Sequence, residues 1–118
     1  MGNSSNIEIA QLNQVLQNLQ GQGVNWTLEN SDELNINLVH LNPNEELGSH
    51  INSQVEVAVL VLQGQGLVTI ESQSHELKPL SLILIPKETT RIIQASETGL
   101  DYLTIHKRKG LLQLKQKA

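Results

Sequence analysis

Residues 50–66 read His50-Ile51-Asn52-Ser53-Gln54-Val55-Glu56-Val57-Ala58-Val59-Leu60-Val61-Leu62-Gln63-Gly64-Gln65-Gly66. A histidine and an amide stand two positions apart, so on a strand their side chains share one face. An aliphatic run and a glycine-rich stretch follow at once. That order is how a small β-barrel sets a polar pocket into an apolar wall. The amide at Asn52 matters, because a neutral amide is a weak ligand for transition ions. Two imidazoles on this strand would hold such an ion; His50 with Asn52 predicts a polar pocket instead.

The run Val57–Leu62 is apolar at both parities. A strand in an antiparallel sheet normally turns one face to water and keeps that face polar. Here one face must line the interior, and the other must be covered by an N-terminal helix or by a second subunit. A two-fold homodimer is the commonest arrangement of that kind and is expected. Gln63-Gly64-Gln65-Gly66 reads as a hairpin turn ending the run.

Outward from this stretch the periodicity changes. Leu12, Val15, Leu16 and Leu19 follow helical spacing and Gly21 ends the pattern, predicting a helix over 7–21 that packs on the outside of the sheet. From Val24 the period is two. Strands are predicted at 24–28, 34–41, from His50, at 55–62, 67–71, 75–77, 82–85, 91–95 and 100–106. Between them stand the turn signals Asn42-Pro43, Ser72-Gln73-Ser74, Lys78-Pro79, Pro86 and Ser96-Glu97-Thr98-Gly99. Many short strands with regular turns define an all-β, antiparallel sandwich or barrel. The barrel is expected over 24–106, with a basic tail over 107–118.

Composition is consistent with one such domain. The chain has 118 residues, 38% of them hydrophobic, with one Trp, one Tyr, no Phe and no Cys. Disulfides and thiolate metal sites are therefore excluded. No apolar run approaches the ~20 residues that a membrane helix needs. Met1–Ile9 lacks the charged and apolar regions of a signal peptide, so a cytoplasmic protein with no membrane partner is expected. The net charge of −4 argues against nucleic acid as a partner. The basic residues Lys107, Arg108, Lys109, Lys115 and Lys117 crowd the C-terminus. They form either an anion-binding edge or a solvated, frayed end.

On these residues the chain resembles the cupin superfamily of small jelly rolls. The likeness is carried by Gly48-Ser49-His50-Ile51-Asn52, by Val57 to Gly66, by Lys78-Pro79-Leu80-Ser81 and by Leu84-Ile85-Pro86-Lys87, and covers about residues 34–106. It implies a single-domain jelly-roll barrel with a pocket inside. Metal cupins take two His and a Glu from a first motif and one His from a second. In this sequence the first ligand position is His50, the second is Asn52 and the third is Val57, with Glu56 one residue off and on the opposite parity. The second motif, Pro86 to Arg91, puts Glu88 at the usual glycine and Arg91 at the last ligand. One ligand of the set remains, so the resemblance implies a cupin without metal, and no cofactor is expected.

Arg91 has a permanent charge and no lone pair to donate. It either supplies the positive charge in place of an ion, so that His50, Asn52 and Arg91 bind a small anion such as a carboxylate or phosphate, or pairs at the rim with Glu56 or Glu88. Tyr102 and His106 share a parity on the last strand. They add polar groups to the pocket if that face turns inward, and are ordinary edge residues otherwise. His40 reads as a partly buried, hydrogen-bonded histidine. The expected function is binding of a small anionic molecule. The alternatives are a metal-free acid–base isomerase or epimerase with His50 as base, with Glu56 as its acidic partner if a bulge turns it inward, and a metal-dependent dioxygenase or isomerase with a non-standard ligand set.

Overall fold

The computed structural model describes residues 7–51 and 54–108. It contains α1 (Leu12–Leu16) and seven strands: β1 (Gly23–Thr27), β2 (Leu34–Leu41), β3 (Glu46–Ile51), β4 (Val57–Ile70), β5 (Gln73–Leu77), β6 (Leu82–Ile85) and β7 (Thr90–Lys107). All pairings are antiparallel.

The glycine stretch corrects the reading of a hairpin turn. β4 runs unbroken for 14 residues through Gln63 to Gly66. Its partner β7 runs for 18, through the expected turn at Ser96–Gly99. The two pair from Ala58 with Ile105 to Val61 with Tyr102, and again from Gly66 with Ala95 to Ile70 with Arg91. Between these stretches the register slips twice, so that 96–99 on β7 stand opposite the single Gln65. Such bulges bend and twist a ladder. Gly64 takes φ 85° and Gly99 φ 78°, a region open to glycine and strained for other residues. A Cβ at Gly64 would strike the Gly99 carbonyl oxygen, and one at Gly66 the Gln94 carbonyl oxygen. The glycines thus form a corner within continuous strands, because only they let two backbones approach so closely.

The corner divides the sheet. On one side β1, β2, β7, β4 and β6 lie in order; on the other β3, β7, β4 and β5 do. Inward residues of the first half (Val39, Leu41, Val57, Val59, Val61, Ile85, Leu100, Tyr102) join those of the second (Val68, Leu77, Ile93, Ala95) in one core. Each fully buried Val, Leu or Ile contributes about 1.5–3 kcal/mol. The halves therefore face each other as the layers of a jelly roll. The ladder does not close into the expected barrel: among the described residues β1 and β5 end the sheet without pairing to each other. The layers are joined by the corner on one side and by packing elsewhere.

Two further expectations are corrected. The N-terminal helix is 5 residues long, far shorter than 7–21, and has no fully buried residue. Leu12, Val15, Leu16 and Leu19 are half-buried, as their spacing predicts. So short a helix has little stability of its own. The β4–β5 hairpin turns at Glu71-Ser72, one residue ahead of the expected turn, and both residues adopt positive φ.

The outward parity of β4 is indeed apolar. Leu38, Leu103, Leu60 and Leu82 form one row across β2, β7, β4 and β6. Coverage fades along it, from 0% exposed at Leu38 and 7% at Leu103 to half-buried Leu60 and 69% at Leu82. The helix does not cover the β6 end.

Candidate functional site

Among the described residues, the fold buries Arg91 and Tyr102 on the inward parity of β7. Arg91 sits beside the buried Ile93 position on the half of β7 before the corner, and Tyr102 belongs to the core on the half after it. They are 9% and 1% exposed. Among the described residues, neither Arg91 Nη1 nor the Tyr102 hydroxyl has a hydrogen-bond partner, although both atoms are buried. Burial pushes the Tyr102 phenol up to about 12, against a smaller opposing pull from the Arg91 charge. Burial also lowers the Arg91 pKa, with Tyr102 opposing. The guanidinium still keeps its proton. The result is a buried cation and a buried neutral phenol, near each other, each with an unused donor.

Such groups are rare in folded proteins, because an unpaired buried donor carries its full desolvation penalty. No ion pair joins Arg91 to Glu56 or Glu88 among the described residues; both carboxylates lie on exposed residues. The other buried charged residue, Asp101, faces away from Tyr102 by strand parity. Its carboxylate accepts from Gln63 Nε2 at 2.8 Å and lies 2.6 Å from His40 Nδ1, while His40 Nε2 lies 2.9 Å from Asn42 Oδ1. His40 is thus the hydrogen-bonded histidine the sequence predicts. Asp101 and Gln63 were not anticipated, and their pairing with His40 follows only from the register of β2, β7 and β4.

The remaining candidates separate into two groups. The His50 backbone stands directly opposite Arg91 in the β3–β7 ladder, and for residues 49–51 only the backbone is described. Asn52 and the tail beyond Arg108 lie outside the described residues. Glu56 and His106 line a different space, a groove of about 710 Å³ with Leu34, Ala58, Leu84, Pro86, Lys87 and Ile105. His106 Nδ1 donates to the Lys107 carbonyl oxygen at 2.7 Å. Tyr102 therefore faces inward, and Glu56 does not turn toward Arg91.

A two-layered antiparallel jelly roll, bent at a glycine corner and carrying Arg91 and Tyr102 on its inward faces, defines a cupin-fold protein. No family model matches the sequence, and no curated protein does. Solved structures match it well. A Bacillus halodurans protein, BH2720, superposes with a TM-score of 0.76 at 18% identity, over 89% of this chain and 83% of its own. The cupin domain of Schizosaccharomyces pombe Cnp3 gives 0.71 at 16% identity, over 85% and 74%. A cupin protein of Bacteroides fragilis gives 0.68 at 21% identity, over 93% and 88%. The chain has the cupin fold.

Two of the positions where metal cupins place ligands are described here, and neither offers one. Val57, at the third ligand position, points inward and is 1% exposed, while Glu56 points out. Arg91, at the last ligand position, presents only donors and a positive charge. Among the described residues no group of three or more His, Asp and Glu could hold an ion.

Proposed function

We propose that this protein binds a small anion between the two layers of its jelly roll, with Arg91 as the counter-charge and Tyr102 as a second donor. The observation that supports this is the buried Arg91 Nη1 without an acceptor among the described residues. An ion moved out of water loses several kcal/mol of solvation unless an opposite charge replaces it. An anion accepting from the guanidinium and the phenol supplies that charge and satisfies both donors. His50, opposite Arg91 on β3, and Asn52 complete the proposed site.

Thermal unfolding of the full chain across a panel of small carboxylates and phosphates tests this reading. A member of the panel raises the melting temperature of the wild type and leaves Arg91→Gln unchanged. An equal shift in Arg91→Gln refutes it. Acid–base chemistry on the bound anion is the second reading, favoured by the pairing of His50 with Arg91 in the ladder. It requires turnover that His50→Ala abolishes while anion binding persists.

The same reading includes a homodimer. Leu82 and Leu84 are 69% and 59% exposed at the open end of the apolar row. The groove beside them carries Glu56 and Lys87, opposite charges that a two-fold axis brings across to each other. Light scattering gives twice the chain mass for the wild type and the chain mass for Leu82→Glu/Leu84→Glu; a monomeric wild type refutes it.

A further inference from the structure

We propose that the groove on the outward face beside β6 is the seat of this chain's own C-terminal segment, residues 109–118. The inference is independent of the anion reading.

The groove has an apolar floor. Ile105, Ala58 and Leu84 form one row across β7, β4 and β6, and Leu34 extends the lining onto β2. Ala58 is the small member, so the floor dips between larger neighbours and leaves about 710 Å³. Leu34 and Leu84 are 41% and 59% exposed. Apolar surface left in water is unfavourable, and no residue of α1 lines this space.

The fold delivers the chain to that groove. Lys107, the last residue of β7, belongs to its lining. The Arg108 amide donates to the Glu33 carbonyl at 3.0 Å, which holds the chain beside Leu34 for one more residue. Arg108 Nε is buried without a hydrogen-bond partner among the described residues. It is a donor suited to a carbonyl of the segment that follows.

That segment opens Lys109-Gly110-Leu111-Leu112-Gln113-Leu114-Lys115. Gly110 permits a sharp reversal onto the outward face. In an extended segment Leu112 and Leu114 share one side, and Gln113 and Lys115 the other. From β2 to β6 the groove crosses the strand order β2-β7-β4-β6, a width of about 14 Å at the usual strand spacing. Gly110 to Leu114 covers about 13 Å when extended, so the two leucines meet the floor between Leu34 and Leu84. Lys115 then arrives beside β4 and β6, where Glu56 is the one carboxylate among the described lining residues. Leu82, 69% exposed and outside the lining, remains for the second copy.

The chain has no cysteine, so an introduced pair is read alone. Full-length Leu84→Cys/Leu112→Cys is compared with Asp32→Cys/Leu112→Cys, in which position 32 is exposed beside Glu33 but outside the groove lining. The groove pair closes an intramolecular disulfide about tenfold faster than the control pair, read by non-reducing electrophoresis and mass. Equal rates overturn the proposal, because a segment without a seat reaches both positions alike. A major product of twice the chain mass overturns it in favour of a second copy. In the otherwise native full chain, Leu112→Asp/Leu114→Asp lowers the melting temperature by about 4 °C or more. An unchanged melting temperature also overturns the proposal, and none of these outcomes bears on the anion reading.

Discussion

Arg91 and Tyr102 belong to one strand but stand on opposite sides of its corner, and the charge of the first still acts on the phenol of the second. A straight strand would hold them far apart. The register slips opposite Gly64 and Gly66 fold β7 back over itself and bring both donors into a single interior.

Tyr102 is the only tyrosine of the chain, so the phenolate absorbance of the protein reports on it alone. In the folded state its pKa is about 12, above the ordinary value of 10.0. The neutral phenol is therefore the form that folding favours. Its contribution is fully present below pH about 10 and is lost as pH rises toward about 12, a total of about 2–3 kcal/mol. Spectroscopic titration of the native protein should give a midpoint near pH 12. Urea unfolding should show the wild type losing stability relative to Tyr102→Phe across that window. A native midpoint near pH 10 would mean the hydroxyl is solvated.

Replacing Arg91 by methionine removes a buried charge that lacks a counter-ion among the described residues. Without added anion, Arg91→Met should gain about 1–3 kcal/mol in urea unfolding, and saturating anion should narrow or reverse its lead over the wild type. A destabilised variant in anion-free buffer would point to a structural partner for the guanidinium.

The corner predicts a contrast between glycines. Gly64→Ala and Gly66→Ala drive a methyl group into backbone carbonyls of β7, and each should destabilise by about 3 kcal/mol or more. Gly48→Ala meets nothing within 4 Å and should change stability by less than about 0.5 kcal/mol. Chemical denaturation of the three variants measures the difference. Similar losses at all three positions would remove the case for a corner.

Leu80 and Glu88 adopt φ 72° and 66°. Leu80 follows Pro79 in a turn closed by the Ser81 amide donating to the Lys78 carbonyl at 2.9 Å, where glycine is the favoured third residue. Its side chain is 76% exposed, so no packing is lost on its removal. Left-handed strain of about 1–2 kcal/mol, less the flexibility that glycine adds to the unfolded chain, leaves a gain of about 0.5–1 kcal/mol for Leu80→Gly and for Glu88→Gly. Melting temperatures of the two variants, singly and combined, check this.

The sequence made parity legible and continuity illegible. Val57, Val59 and Val61 point inward and Glu56 outward, as alternation requires. Arg91 was recognisable because it occupies a ligand position of a known motif. The glycines at 64 and 66 misled, since a tight turn and a tight strand crossing both demand a missing Cβ. Helical spacing across 12–19 was real in burial but too weak, without tertiary support, to extend α1 beyond Leu16. The bonding of His40, Asp101 and Gln63 was invisible because it depends on three strands far apart in sequence finding one register. Glu88, at the usual glycine of the second motif, does take the left-handed backbone that a glycine there would serve.

The crease at the glycines sets the separation of Arg91 and Tyr102. The guanidinium and the phenol ride on separate jaws of the same folded ribbon, as the tips of a pair of callipers share one pivot. A slight change of angle at the pivot alters the gap between the tips by more than the pivot itself moves. Under the proposed function, the dimensions of the bound anion are governed by glycines that never touch it.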